Sequence, residues 1–260
     1  MGEHPARMTW LWDLAAMVLG PVAGSFLGLI SLRLPEEKTV VAGRSACGSC
    51  GRTLSPIDLV PILSFLALRG RCRTCGEVIP RRYLLMELGC LALGVWSAFA
   101  FDGPMALVSA LFGWWLLIVA VIDGEHFWLP DRLTLPLGAV GLIQAVAFAV
   151  LGGTPTLWIH NLIGAAAGFG ALWLIAFAYR RLRGREGLGG GDPILLGAIG
   201  AWVGWQGLPG VVAWAGVAGL SVVLVMVVRR RGVSAEMKLP FGVFLALGGW
   251  MVWILGPLGL

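Results

Sequence analysis

Four cysteines form two closely spaced pairs in the first third of the chain. Two residues separate Cys47 from Cys50, two separate Cys72 from Cys75, and residues 51–71 lie between the pairs. The second pair repeats the first, since a glycine directly follows each. Two pairs of this kind supply four thiolates, the ligand set typical of a structural zinc site.

A redox-active dithiol and a pair of structural disulfides are the alternative interpretations of the same cysteines. Four thiolate ligands leave no open position for water, which favours a structural over a catalytic metal. Disulfides are disfavoured if this loop is cytoplasmic, and arginines near the thiols would favour thiolates. Cys90 lies in an apolar stretch and is expected to be a small core residue.

Two aspartates stand at the ends of apolar stretches. Asp123 closes the sequence Val-Ile-Asp, and Asp192 follows the glycine-rich run 187–191. Acidic residues within a membrane span are costly and functional by default. The glycines are expected to permit close backbone approach and positive φ angles, which would suit a site that admits an extended peptide.

Two carboxylates at hydrogen-bond distance cannot both ionise cheaply. One keeps a proton and acts as a general acid, while the other activates water. This chemistry hydrolyses a peptide bond without a nucleophilic side chain. Residue types and spacing leave two alternatives open. In one, Asp192 is an N-cap and Asp123 faces headgroup water; in the other, the two acids relay protons in a transporter.

The other titratable side chains are expected to have structural or surface roles. Asp13 and Glu87 lie near the ends of apolar stretches, where capping or an interfacial position is expected. A solvated surface is expected for the acids of the polar loop and for a lone interfacial histidine: Glu36, Glu37, Asp58, Glu77 and His126.

These residues must be positioned by helices in a bilayer. Hydrophobic residues make up 58% of the chain and charged residues 13%, against about 25% charged in soluble domains. Because about 20 apolar residues span a bilayer, we predict about eight transmembrane helices in an all-α polytopic membrane protein. They are expected near Trp10–Leu32, Tyr83–Phe101, Pro104–Ile122, Leu133–Leu151, Leu157–Tyr179, Pro193–Trp205, Leu208–Val228 and Pro240–Leu258. The first is read as a retained helix, and the short sixth as tilted or partly inserted.

Basic residues fall on one side of this predicted bundle. Of the 19 lysines and arginines, all but Arg7 lie in alternate connections between the spans. The positive-inside rule places these connections, including the cysteine loop, in the cytoplasm and both termini outside. It also brings Asp123 and Asp192 to the same leaflet. Nucleic-acid binding is not expected from arginines in this arrangement.

Ordered motifs along nearly the whole chain resemble the type IV prepilin leader peptidases, the bifunctional leader peptidases and N-methyltransferases of pilus and type II secretion systems. Besides the cysteine pairs, the matching residues are Gly24-Ser25-Phe26-Leu27, Arg33-Leu34-Pro35, Asp58 to Ser64, Leu68 to Cys72, Arg82-Tyr83, Glu87-Leu88, Ile122-Asp123, Leu129-Pro130-Asp131, Gly189 to Asp192 and Pro240-Phe241-Gly242.

The resemblance implies a multi-pass enzyme of the bacterial inner membrane. Such enzymes cut basic leaders from prepilins or pseudopilins at the cytoplasmic face, and then methylate the new N-terminal residue with S-adenosylmethionine. By motif, the catalytic aspartates are Asp123 and Asp192, and Asp131 is not a catalytic acid. The zinc ligands are Cys47, Cys50, Cys72 and Cys75, whose presence resembles the methylating form.

The implied organisation is a first transmembrane helix (1–33), a cytoplasmic zinc-binding loop domain (34–82) and a transmembrane aspartic peptidase domain (83–260). The expected partners are prepilins or pseudopilins and the lipid bilayer. The runner-up function is a zinc-stabilised, proton-coupled transporter.

The chain departs from the family pattern at a few positions. Gly28 stands where the family usually has asparagine, and Leu84 where it usually has proline. Ile194 stands where a lysine is favoured, and Val243 replaces a common proline. None of these is a predicted catalytic acid or metal ligand, whereas Gly28 and Ile194 bear on methylation and substrate preference.

Overall fold

The structure is a computed structural model that describes residues 9–38, 45–152, 155–185, 187–229 and 238–257. Its described residues form helices and turns. They include two isolated antiparallel β-bridges but no β-strand. The helices are α1 (Thr9–Arg33), a 3-10 turn (Pro56–Leu59), α2 (Leu63–Ala67), α3 (Arg81–Ala100), α4 (Pro104–His126), α5 (Asp131–Leu151), α6 (Leu157–Arg183), α7 (Asp192–Val228) and α8 (Phe241–Leu255).

Six of the described helices are long and apolar enough to cross a membrane: α1, α3, α4, α5, α6 and α7. The four-cysteine loop lies between α1 and α3, the first two of these six. The predicted all-helical membrane fold with a cysteine loop is therefore confirmed. Arg7, Arg44, Arg230 and Arg231, which belong to the predicted charge pattern, and Leu258, the predicted end of the last span, lie outside the described residues.

The predicted sixth and seventh spans fall on the single helix α7. Its continuity is interrupted at Gly204, whose φ of 71° and ψ of 174° are not helical. The break therefore lies slightly earlier than the predicted one, and the residues around 206 are helical. Counting both parts of α7 together with α8 recovers the eight predicted segments, but residues 192–203 and α8 are shorter than the about 20 residues that span a bilayer.

The chain divides into two compact units, residues 1–118 and 119–260. In the first unit, α1 packs closely on α3. Glycines of α1 make the approach possible, because a Cβ on Gly20 would lie 2.7 Å from the Cys90 carbonyl oxygen and one on Gly24 would lie 2.6 Å from the Glu87 Cα. Small residues at such spacing let backbones approach in membrane helix pairs.

In the second unit, α7 packs against α5, α6 and α8. Gly164 of α6 meets the backbone of Gly200 of α7, with no room for a side chain on either residue. The indole N–H of Trp202 donates to the Leu137 carbonyl oxygen of α5 at 2.8 Å. The glycines that made the sixth span look uncertain in sequence are thus the contact surface between α7 and α6.

Candidate functional site

The cysteine loop consists of two equivalent turns. In the first, the Cys47 N–H donates to the Arg52 carbonyl oxygen and the Gly51 N–H donates back to Cys47. The same two bonds recur 25 residues later, between Cys72 and Glu77 and between Gly76 and Cys72. Gly51 and Gly76 have φ angles of 68° and 71°, which glycine adopts without steric cost. The repeat seen in the sequence is therefore a repeated backbone conformation.

The two turns bring their four sulfurs together. The Sγ atoms of Cys47, Cys50, Cys72 and Cys75 all lie within 4.8 Å of one another. The Cys47 and Cys75 sulfurs are 3.7 Å apart, and a tetrahedral zinc site with Zn–S bonds of about 2.3 Å needs S–S separations of about 3.8 Å. The number, type and spacing of these donors fit zinc.

Backbone N–H groups prepare some of these sulfurs as thiolates. Hydrogen bonds from the N–H groups of Cys75 and Thr74 lower the pKa of Cys72 to about 6, and equivalent bonds lower the pKa of Cys47. Although the Glu77 backbone favours its thiolate, desolvation and the neighbouring thiols raise the pKa of Cys75 to about 12. The pKa values of Cys47 and Cys72 are thus lowered mainly by backbone N–H groups of the turns. The sequence had suggested nearby arginines as the cause.

Asp58 connects the two turns through its carboxylate. Oδ2 accepts hydrogen bonds from Arg52 at 2.8 Å and from the Ser55 hydroxyl at 2.8 Å, while Oδ1 accepts one from Arg73 at 2.9 Å. Arg52 also donates to the Thr74 hydroxyl. The side chain of Asp58 is only 4% exposed, so the expectation that Asp58 is a solvated surface residue is wrong.

The bonds from Ser55 and the charge of Arg73 lower the pKa of Asp58 to about 2. Since a carboxyl group with a pKa this low is ionised at every pH a cell experiences, Asp58 stays charged and holds both arginines throughout. Any stability it contributes is present above its unfolded pKa of about 3.9 and is lost as the pH falls through about 2.

Glu87 is a second acid near elements of the cysteine loop, and it lies close to the start of α3, as expected. It lies in the second turn of α3, is 5% exposed, and accepts a hydrogen bond from the Ile62 backbone N–H at 2.6 Å. Ile62 has a positive φ of 62°, which is rare for a β-branched residue. Glu87 therefore fixes a strained turn of the loop, at the start of α2, against α3.

The predicted aspartate pair is buried in the second unit. Asp123 lies in the last turns of α4 and Asp192 is the first residue of α7, and each residue is 5% exposed. The two carboxyl groups are near enough to interact electrostatically. By contrast, Asp131 at the start of α5 and His126 at the end of α4 are exposed.

Backbone N–H groups hold both carboxylates in place. Asp123 Oδ2 accepts a bond from the Val243 N–H at 3.1 Å, in the first turn of α8. The free N–H groups at a helix N-terminus favour negative charge. Asp192 Oδ2 accepts a bond from the Gly189 N–H at 3.0 Å. Asp192 therefore bonds back to the glycine run and does not cap α7, and Asp123 does not face headgroup water.

Leu129 lies against Gly191, the residue before Asp192, and against Gly242, which abuts Asp123. A Cβ on Gly191 would lie 2.6 Å from the Leu129 Cβ, and one on Gly242 would lie 3.0 Å from the Leu129 Cδ2 and 2.8 Å from the Asp123 Oδ2. The motif around Gly242 thus leaves the space that Asp123 and Leu129 occupy. Sequence spacing alone did not connect Gly242 to Asp123, because the two residues lie on different helices.

The glycines before α7 leave room for neighbouring side chains, and their φ angles are ordinary. Gly187 abuts the ring of Tyr179, and a Cβ on Gly189 would lie 3.0 Å from the Asp192 carboxylate. None of the glycines at 187, 189, 190 and 191 has a positive φ, whereas Gly184 at the end of α6 does. Side chains of the protein itself thus approach Gly187 and Gly189 closely, and the expected positive φ angles are wrong.

The structure shows the contacts of two residues that depart from the family pattern, Gly28 and Val243. Gly28 faces Tyr83 across the α1–α3 contact, where a Cβ would lie 3.2 Å from the Tyr83 ring. Val243 supplies the N–H that Asp123 accepts, a donor that a proline at this position would lack.

The fold and the two sites together define a polytopic helical membrane protein. It has a loop of four cysteines spaced as metal ligands and a buried pair of aspartates. Two family models match the chain: Bacterial Peptidase A24 N-terminal domain over residues 18–101 and Type IV leader peptidase family over residues 110–224. No solved structure matches the chain.

Curated relatives named "Prepilin leader peptidase/N-methyltransferase" match over most of their length. The protein of Burkholderia pseudomallei is 43% identical over 263 residues, which cover 90% of this chain and 82% of the relative. The protein of Pseudomonas aeruginosa is 34% identical over 284 residues, covering 98% and 93%. This chain belongs to the type IV leader peptidase family.

Proposed function

We propose that this protein removes the leader peptide from prepilins or pseudopilins and N-methylates the residue that cleavage exposes. It is a membrane peptidase with methyltransferase activity, as its family and the names of its relatives indicate. The observation that carries the peptidase function is the buried pair Asp123 and Asp192, each held by a backbone N–H. A proton-coupled transporter is not favoured, because the similarity to leader peptidases extends over nearly the whole chain.

The proposed cleavage uses both carboxyl groups and one water molecule. One aspartate is ionised and takes a proton from the water molecule, while the oxygen of that water adds to the carbonyl carbon of the scissile bond. The other, protonated, gives its proton to the leaving nitrogen as the carbon–nitrogen bond breaks. The products are a carboxyl terminus on the leader and a free amine on the mature protein. Assigning Asp123 and Asp192 to these roles rests on the family motif and on their burial side by side.

The proposed location is the bacterial inner membrane, with the cysteine loop and both aspartates at the cytoplasmic face. The one-sided distribution of basic residues supports this orientation. We also propose the organisation expected from the sequence, with a first helix over 1–33, a zinc-binding loop over 34–82 and a peptidase region over 83–260.

The proposed cofactors are zinc and S-adenosylmethionine. Zinc would be held by Cys47, Cys50, Cys72 and Cys75, where it would hold the two turns together without taking part in bond cleavage. S-adenosylmethionine would supply the methyl group transferred to the new amine.

Incubating the purified protein with a prepilin tests this function. With S-adenosylmethionine present, mass spectrometry should show the substrate without its leader and with one added methyl group; without it, only the leader should be lost. An unchanged prepilin, together with solute flux in liposomes that contain the protein, would favour the transporter.

A further inference from the structure

The loop between α1 and α3 carries an apolar segment, Pro56–Ala67, that the predicted solvated loop does not explain. Its 3-10 turn, α2 and the residues between them expose five large apolar side chains, each between 41% and 69% exposed: Ile57, Leu59, Val60, Leu63 and Leu66. Several large exposed apolar side chains in so short a segment indicate a contact with lipid or with a partner.

The single charged residue of the segment points away from this apolar surface. Asp58 is 4% exposed because it bonds to the arginines of the two cysteine turns. The segment is therefore amphipathic: the buried side chain of Asp58 faces the two cysteine turns, while the large side chains that the segment exposes are apolar.

The segment is fixed at the level where α3 begins. Its Ile62 N–H donates to Glu87, which lies in the second turn of α3. Helical side chains lean toward the N-terminus, so this anchor lies near the first turn of α3. Arg82 and Tyr83 occupy that turn, and Arg82 bonds to Ser31 near the end of α1. Arginine and tyrosine are residues that anchor helices at the membrane–water interface.

The residues that follow the segment carry positive charge. Arg69, Arg71 and Arg81 are exposed, and exposed arginines next to an apolar surface suit anionic phospholipid headgroups. The segment is thus bonded to a membrane-spanning helix through Ile62 and Glu87, and exposed arginines follow it in the chain.

We propose that the apolar segment is an interfacial membrane-binding element that inserts its exposed side chains into an anionic leaflet. The bilayer is the occupant favoured by the arginines and by the anchor on α3. Insertion would hold the cysteine turns against the membrane surface through Asp58. This proposal does not depend on the catalytic roles of the aspartates.

Photolabelling from within the bilayer tests the insertion. The protein would be placed, without prepilin, in nanodiscs of anionic phospholipid that include a phospholipid with a diazirine on its acyl chain. After irradiation, trypsin releases residues 53–69, which contain the whole segment, and residues 45–52, which contain the first cysteine turn. We expect residues 53–69 to carry several-fold more label than residues 45–52, at a level similar to the peptide that contains α5. Equal labelling of the two loop peptides would overturn the proposal.

A pair of variants identifies the inserted side chains. Leu63→Asp combined with Leu66→Asp should reduce labelling of residues 53–69 several-fold, while zinc content and the labelling of α5 stay unchanged and report correct folding. Val78→Asp is the matched control, because Val78 is an exposed apolar residue of the same loop outside the segment; it should leave the label on residues 53–69 unchanged. Wild-type labelling in the double variant would also overturn the proposal, and so would labelling that appears only with prepilin.

Discussion

Asp58 accepts bonds from both cysteine turns, so its carboxylate helps to set the distance between the two pairs of sulfurs. Four thiolates around Zn²⁺ would leave a net negative charge, and Arg52 and Arg73 lie where they would offset it. Partners of this kind, beyond the metal ligands themselves, orient the ligands and tune metal affinity.

Replacing Asp58 should therefore weaken zinc binding without removing a ligand. We expect about one zinc ion per chain in the wild type and about 10–100-fold weaker zinc binding in Asp58→Asn. The amide keeps the shape of the side chain but turns an N–H₂ group toward one arginine. Competition against a chromophoric zinc chelator measures the difference on purified protein.

Glu77→Gln is the matched control for this change. It removes the same charge from the second cysteine turn, but the Glu77 side chain is exposed and it is the backbone of Glu77 that bonds to Cys72. Its zinc affinity should equal that of the wild type. If Asp58→Asn also binds zinc as tightly as the wild type, Asp58 does not position the turns.

At the scale of elements, two buried backbone carbonyls of α7, just before the break at Gly204, accept hydrogen bonds from a side chain of α6. Asn161 of α6, 3% exposed, donates from its side-chain amide to the carbonyl oxygens of Ala201 at 2.8 Å and of Trp202 at 3.2 Å. Unsatisfied backbone groups are costly in a bilayer because no water is available to bond to them. One side chain of α6 therefore supplies hydrogen bonds to the backbone just before the non-helical Gly204.

Asn161→Ala should destabilise the protein by about 1–3 kcal/mol, because it removes both side-chain hydrogen bonds to these buried carbonyls. The free energy of unfolding, measured by steric trapping in bicelles, reports the loss. Ser221→Ala removes a hydroxyl bond to Val217 within a regular, exposed stretch of α7 and should have a much smaller effect. Equal effects of the two substitutions would contradict the role given to Asn161.

The packing of these elements explains which parts could be predicted from sequence. Apolar length revealed the helices, and the spacing of the cysteines revealed a four-thiolate cluster, because both signals are local. The roles of Asp58, Glu87 and Asn161 could not be predicted, since their partners Arg73, Ile62 and Ala201 lie 15, 25 and 40 residues away. Local sequence does not distinguish an acid exposed to solvent from one whose carboxylate bonds to two turns.

At the scale of the whole molecule, each unit carries one of the two chemical features. The unit of residues 1–118 contains the cysteine turns and the apolar segment, and the unit of residues 119–260 contains both aspartates. The two family models likewise divide the chain between residues 101 and 110. The aspartates lie far apart in sequence, at the end of α4 and the start of α7, and both belong to the second unit. Motif resemblance therefore identified them, while spacing left their chemistry open.

Leader cleavage by aspartate variants is the most direct test of the account. Asp123→Asn and Asp192→Asn should each reduce the rate of prepilin cleavage in detergent to the uncatalysed background, while both variants keep the zinc content of the wild type. Asp131→Asn, which changes an exposed acid of the same motif, should cleave at the wild-type rate. Full cleavage by either Asp123→Asn or Asp192→Asn would contradict the proposal that this pair performs the hydrolysis.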